Sequence, residues 1–356
     1  MENNLEQHAE NKKSPRRRFI VPVVFVPLIV FVVLLTSILF LKAMHPSESD
    51  IVIREEAANI LNKSPEELSG EDFKKITEFK LMSKKISDIR LLRKFTNLQE
   101  LTIIQLIITE PEPPIWKTFL QKIHIIKPKV SKGSPTYFID LKPLKKLSKL
   151  QKLVFAQTPI KNVTYLKGLV NLKELNISYN QIDSIKSLEG LTNLELLNIQ
   201  NTQVSDIEPV KNLKKLRCLY IRETPVTNLE PITKLINMTL LDIGFTKIVN
   251  LEPLRELTNL KILNIFVTGI FDLEPIRNLK NLTILSLNQT IVTNLDPIRE
   301  LTNLQSLDFS RTRISDIEPI KGLKKLKRID ISDCINISDE EVEELKNIFP
   351  NATIFH

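Results

Sequence analysis

The chain has 356 residues, 50 lysines and arginines against 42 acids, and a net charge of +8. That length could hold two globular domains, but the positive charge is spread along the chain and not gathered into basic arms. Without clustered cations beside aromatic platforms, no nucleic-acid-binding layout is read from it.

Residues 1–18 are polar and end in Lys12, Lys13, Arg16, Arg17 and Arg18. Phe19 to Leu41 then runs 23 residues without a charge, enough to span a bilayer as one helix. Pro22 and Pro27 are tolerable near one end of such a helix. The basic flank predicts a cytoplasmic N-terminus with everything after Leu41 outside. A cleaved signal peptide would have a shorter apolar core and small residues before the cut. Only Leu41-Lys42-Ala43 offers itself, and no cysteine follows. The expectation is a single-pass signal-anchor protein whose remainder is extracytoplasmic, at the cell surface or in the periplasm. Residues 42–50 read as a linker.

Residues 51–75 read as two short helices that cap the next segment of the chain. Ile53, Ala57, Ile60 and Leu61 share one helical face, and Ser64-Pro65-Glu66-Glu67 is a capping box.

From 76 to 337 one sentence of 22 residues is repeated. Its copies begin at Ile76, Leu98, Leu150, Leu172, Leu194, Leu216, Met238, Leu260, Leu282, Leu304 and Leu326. In the copy at Leu260, apolar residues fall at positions 1, 4 and 6 (Leu260, Leu263, Ile265) and at 11, 14, 17 and 20 (Ile270, Leu273, Ile276, Leu279). Thr268 stands at position 9, Pro275 at 16 and Asn281 at 22. This is the leucine-rich-repeat pattern, and a fixed period of this length means a solenoid. Positions 4 and 6 point to one face of a short strand and 3 and 5 to the other. Pro275 suits the first position of a helical or 3₁₀ turn, so the chain goes out as a strand and returns as a tight turn. Stacked copies form a parallel sheet on the concave side of an arc. The threonines at position 9 are expected to bond backbone inside the turn.

The interval from Leu98 to Leu150 first looks like one repeat with a large insertion. Leu120, Ile123 and Ile125 nonetheless repeat the strand signature, and Asp140-Leu141-Lys142-Pro143-Leu144 supplies a return turn. Two repeats are therefore expected there, the second lengthened at 131–138. That makes twelve repeats, with the second and third degenerate. Cys218 and Cys334, the two cysteines, lie about five repeats apart, roughly 24 Å at strand spacing and beyond reach of a bridge. Residues 338–356 close the array: Ser338-Asp339-Glu340-Glu341 is a capping box, Val342, Leu345 and Ile348 form a stripe, and Pro350 stops the helix.

Over roughly residues 51–356 the helical cap, the repeats and the closing helix resemble bacterial leucine-rich-repeat proteins of the internalin-like kind. The resemblance implies a protein-binding surface on the concave face. Internalins proper carry an immunoglobulin-like domain after the repeats and often a wall-sorting signal; neither is read here, so host-cell invasion does not carry over.

Chemistry finds few ingredients. The four histidines include His8, His45 and His356 outside the repeats, and His124 alone on a degenerate strand. No Ser/His/Asp or Cys/His arrangement and no zinc-ligand spacing can be assembled. No enzyme, cofactor, metal site or small-molecule substrate is expected. The eight Asn-x-Ser/Thr sequons fall largely out of repeat grammar. Trp116, in a proline-rich stretch, and the loop at 131–138 mark where that grammar is least obeyed.

A binding face is predicted at strand positions 3, 5, 7 and 8. Position 3 is apolar in five successive repeats: Leu196, Cys218, Leu240, Ile262 and Ile284. Tyr220, Phe245, Phe266 and Val267 lie beside this row, with Tyr179, Arg222, Glu223 and Asp242 towards the edge. Exposed aromatics with arginine are the expected hot spots, and alanine at Tyr220, Phe245 or Phe266 should weaken binding with little effect on stability. Two rivals stand beside a protein-binding arc. One is an envelope scaffold whose basic rim (Lys145, Lys146, Lys214, Lys215, Lys324, Lys325) contacts anionic wall polymer or lipid. The other is a cytosolic regulatory repeat protein.

Overall fold

The structure is a computed structural model in which residues 47–82, 84–105 and 137–356 are described. Among them twelve strands form one parallel sheet in strict chain order, β1 to β12. The repeat explains this order. Every strand has the same two inward side chains, so each can bury them only against the copy before and the copy after. In β6 (Cys218–Tyr220) Leu219 is fully buried between half-buried Cys218 and Tyr220. The return turn of that repeat buries Leu229, Ile232, Leu235 and then Met238 in the same core. The turns are 3₁₀, not α, and proline opens most of them, as at Glu230–Ile232 and Glu274–Ile276.

Side chains tie the repeats at fixed columns. Asn193, Asn259 and Asn303 at position 22 each donate Nδ2 to a carbonyl one repeat back, at Val170, Ile236 and Lys280 (2.8–2.9 Å). Asn237 and Asn281, two of the sequon asparagines, are engaged in the same way. The position-9 threonines act as expected: Thr224, Thr246, Thr268 and Thr290 donate Oγ1 to the position-6 carbonyl of their own repeat at 2.5–2.6 Å. Asn180 replaces threonine once and does more. Its Nδ2 donates to Phe155 O, Ile177 O and Ser178 O, and its Oδ1 accepts from the Ile160 N–H and Thr158 Oγ1.

Both caps form. Helix α1 (Glu48–Leu61) starts three residues before the expected boundary of 51, inside the predicted linker. It buries Ile53, Ala57 and Ala58 against the first repeat but leaves Ile60 exposed, which removes Ile60 from the predicted apolar face. Ser64 N–H donates to Glu67 in the expected box, and an unforeseen second box joins Ser69 and Asp72 at the start of α2 (Gly70–Lys75). Lys63 and Lys75 both contact the Asp72 carboxylate, and Lys75 first among these partners holds its pKa far below the usual range. At the other end α3 (Asp339–Ile348) is capped by Ser338 and Glu341 as predicted.

Two expectations about the sheet are corrected. β2 (Glu100–Ile104) pairs directly with β3 (Lys152–Ala156), Leu101 opposite Leu153, so no strand built on Leu120, Ile123 and Ile125 lies between them. The physical reason is in the return path. Leu141, Leu144, Leu147 and Leu150 supply one set of core columns, enough to close a single repeat that is lengthened after Gln105. Residues 106–136, with Trp116, His124 and most of the predicted loop, lie outside the described residues. The repeats therefore contribute eleven of the twelve described strands. The remaining one is β12 (Thr353–Phe355), which comes after the closing helix and pairs with β11 (Arg328–Asp330). The predicted C-terminal cap is thus a helix and a strand. Among the described residues no helix is long and apolar enough to cross a membrane; Phe19–Leu41 lies outside them.

Candidate functional site

The sheet presents position 3 as an unbroken row. Leu196, Cys218, Leu240, Ile262 and Ile284 sit opposite one another in consecutive strands, from β5 (Leu196–Asn198) to β9 (Ile284–Ser286). The first four are half-buried and Ile284 is exposed. Ser306 and Arg328 come next in register and end the apolar run.

Position 5 is not the free edge it resembled. Asn198, Asp242, Asp308 and Asp330 each accept, through Oδ1, the N–H two residues on, at Gln200, Gly244, Ser310 and Ser332 (3.0–3.2 Å). That bond shapes the end of the strand. Position 8 then turns left-handed in nine repeats without a glycine, from Gln157 to Asp333, with φ between 52° and 59°. An L residue in this region costs about 1–2 kcal/mol, and for β-branched Val267 it is a true outlier. The neighbour holds it there: Phe245 N–H donates to Phe266 O at 3.0 Å and Val267 N–H to Asn288 O at 2.9 Å. The turn lifts Tyr179, Glu223, Phe245 and Val267 along the border of the sheet, each half-buried.

Three predicted contact residues prove to be buried. Arg222 keeps 7% of its surface, Asp242 8% and Phe266 9%. The Arg222 guanidinium carbon lies 5.0 Å from the ring centroids of both Phe245 and Phe266, which meet edge to face 5.5 Å apart. Its Nη2 donates to Glu223 Oε1 at 3.0 Å, and Glu223 Oε2 accepts from Asn201 Nδ2. A guanidinium is weakly hydrated and flat, so two rings and a carboxylate can replace its water. Phe266 lies over Gly244, where an added Cβ would meet the ring at 2.6 Å. The result is a preformed aromatic–cation cluster whose outer ring, Phe245, is half-buried; half-buried Tyr220 stands opposite Asp242 in the sheet. Burial pushes the Tyr179 and Tyr220 phenols up.

Burial also raises Asp242 above its ordinary 3.8, against the opposing pull of Gly244 N–H, Asn264 and Arg222. Folding therefore takes up a proton between 3.8 and the raised value. The cost of burying the carboxylate is fully present above that value and fades as pH falls through it. Asp242→Asn, which keeps an acceptor for Gly244, should raise the melting temperature at neutral pH by about 1–3 °C. The advantage should close as pH falls towards 3.8. A thermal scan at two pH values reads this; an advantage unchanged in acid would assign it to something other than charge.

Sequence reasoning missed the apolar side chains just beyond the strands, Val249, Phe271 and Ile291, all exposed. Val249 and Phe271 share a repeat position that is polar in most copies, whereas the position of Ile291 is apolar again at Ile335. Among the described residues no group of three or more His, Cys, Asp or Glu is placed to hold a metal ion. A shallow groove of about 480 Å³ near the first repeats is lined by Gln99, Gln151, Asn171, Asn193, Lys149 and Lys173, all polar.

The family model described as leucine-rich repeats (two copies) matches residues 170–212 and 302–347. Among curated proteins none matches the sequence. The fold is similar to that of an internalin (inlF) of Listeria monocytogenes, at 22% identity and a TM-score of 0.65, over 85% of this chain and 87% of that one. It is likewise similar to the functional domain of InlJ from the same organism (17%, 0.65, 85% and 67%). A leucine-rich-repeat protein of Leptospira interrogans matches at 20% identity and 0.57, over 81% of each chain. At these identities the likeness is one of fold.

Proposed function

We propose that this protein, a leucine-rich-repeat chain of the bacterial internalin-like kind, binds a protein partner on the sheet face of β5 to β9 and is not an enzyme. The observation that carries the reading is the in-register apolar row from Leu196 to Ile284 beside the Arg222 cluster. Protein interfaces need a dry, apolar centre with aromatic and arginine anchors inside a polar border. Here the border is made by Glu174 and Asn176 on one side and Ser306 and Asp308 on the other.

The uncharged run from Phe19 to Leu41 and its basic flank support an uncleaved anchor that holds the repeats outside the cytoplasmic membrane. The rival is a basic rim on anionic wall polymer or lipid; other cations of the return turns are paired, whereas Lys145, Lys146, Lys214, Lys215, Lys324 and Lys325 themselves make no ion pair among the described residues. Arg255, Arg277, Arg299 and Lys321 on the return turns each contact an acid three residues back. Lys215 and Lys325 donate to Asn193 and Asn303.

The test is capture by the full-length chain from detergent-solubilised cells, wild type against Tyr220→Ala with Phe245→Ala. A protein retained by the first and reduced at least about tenfold by the second is expected. Equal capture by both would end the sheet-face reading, and wall material released by salt from both would favour the rim. A reporter active only outside the cytoplasm, fused after His356, should be active.

A further inference from the structure

The positive charge is spread along the sequence but not around the fold. In every repeat the chain passes from the return turn into the next strand through positions 21, 22 and 2, and stacking sets these positions in columns along one flank of the sheet. Position 21 carries Lys214, Lys280 and Lys324, and position 22 carries Lys149, Lys215 and Lys325. Position 2 adds Lys173, Arg217, Lys261 and Lys327. All ten are exposed, and the one acid in the three columns, Glu195, is half-buried. None of the ten makes an ion pair among the described residues; the paired cations of the return turns lie elsewhere. Where they hydrogen-bond, it is to neutral oxygens: Lys149, Lys215 and Lys325 to asparagine side chains, Lys280 and Lys324 to backbone carbonyls. The charge of this flank is therefore uncompensated.

Its surroundings do not cancel it. The turn just before adds Glu189, Glu256 and Glu300, outnumbered there by Arg93, Lys145, Lys146, Lys167 and Lys234. Past the far ends of the strands the two signs nearly balance, with Lys247 and Arg313 among Asp183, Asp206, Asp272 and Asp316. Lys149 and Lys173 also line the groove of about 480 Å³, whose other walls are the amides of Gln99, Gln151, Asn171 and Asn193, with no carboxylate. A one-sided field of this kind draws an anionic surface. The tether says which one. Six residues, 42–47, separate Leu41 from the start of α1 at Glu48. They span no more than about 20 Å when fully extended. A chain anchored by Phe19–Leu41 thus keeps its first repeats beside a bilayer, where head groups form a flat charged array that attracts nearby lysine and arginine. Columns that run down one side of an arc can meet such an array along their whole length.

We propose that the flank formed by positions 21, 22 and 2 lies on anionic phospholipid head groups, with one head group seated between Lys149 and Lys173, so that the repeats lie along the membrane and leave the sheet face open to its partner. The inference rests on the anchor reading above and is independent of the sheet-face reading.

The test reconstitutes the full-length chain into vesicles of phosphatidylcholine, alone or with about a third phosphatidylglycerol, and follows lysine acetylation by mass spectrometry. Lys173, Lys215, Lys261 and Lys325 should be labelled at least about threefold more slowly on the anionic vesicles. Lys161 and Lys247, on the opposite flank, should be labelled equally on both. Salt at about 0.5 M should erase the difference. Lys214→Gln with Lys215→Gln and Arg217→Gln, all exposed, should bring Lys261 on anionic vesicles back to its neutral-vesicle rate. Equal labelling on both vesicles, protection of Lys247 in place of Lys261, or indifference to the three substitutions would overturn the proposal. Protection by dissolved polyphosphate on neutral vesicles, with none from phosphatidylglycerol, would make a soluble polymer the occupant instead. An alkaline carbonate wash reads the anchor separately. Loss of the chain from both vesicles fells the anchor reading and this inference with it, whereas retention with equal labelling fells this inference alone.

Discussion

Replacing Asn180 with alanine should lower the free energy of unfolding by about 3 kcal/mol, far more than its single side chain suggests. The amide serves three carbonyls, those of Phe155, Ile177 and Ser178, and accepts the Ile160 N–H. Alanine fills none of these roles and leaves the groups buried without water. Two of them belong to the preceding repeat, so the loss falls on the joint between repeats. Thr290→Ala is the matched comparison, because Thr290 makes one such bond, to Leu287 O at 2.6 Å. It should cost about 1 kcal/mol. Asn180→Thr should fall between, since threonine elsewhere holds the position-6 carbonyl alone. Urea midpoints of the three variants measure this. Equal losses for Asn180→Ala and Thr290→Ala would show that the bridge to the preceding repeat contributes nothing.

Phe266→Ala should cost about 3 kcal/mol, contrary to the sequence-based expectation that it barely moves stability. Its ring is 9% exposed, covers Gly244, meets Phe245 edge to face and forms one wall for Arg222. Truncation leaves a cavity and a guanidinium without half of its apolar surroundings. Phe245→Ala removes a half-buried ring and should cost about 1 kcal/mol. Gly244→Ala is the converse experiment: a Cβ at 2.6 Å must push the Phe266 ring aside, with a loss of about 1–3 kcal/mol. Urea unfolding of the three variants, with near-ultraviolet dichroism to follow the rings, reads all of it. Equal effects for Phe266 and Phe245 would mean that Phe266 is a surface residue after all. This packing is also why the binding test uses Tyr220 and Phe245 and leaves Phe266 alone.

The contrast shows which features a sequence of this kind carries openly. Core columns such as Leu219, Ile232 and Leu235 were legible because each must recur for its neighbour to be buried. Proline at the turn and asparagine at position 22 were legible for the same reason. Leu120, Ile123 and Ile125 have the spacing of a strand, but spacing cannot say which strand is the partner, and β2 takes Leu153 instead. β12 was hidden because Thr353-Ile354-Phe355 follows the closing α-helix and not the 3₁₀ return turn that leads into the strands of the repeats. In the candidate site, the row from Leu196 to Ile284 is set by the period alone. Arg222 is not, since its burial depends on rings supplied by the next two repeats. Phe271 and Ile291 escaped notice because the positions just after the strand were not read as columns.

The most direct test of the central claim, that a protein partner lies on this face, is carbene footprinting of the captured complex against the chain alone. Tyr220, Phe245, Val267, Phe271 and Ile291 should lose labelling on binding. Val170 and Ile236, aliphatic and 49% and 56% exposed elsewhere on the repeats, should keep theirs. Protection of Val170 and Ile236, with Tyr220 and Phe245 labelled as before, would contradict the sheet-face reading.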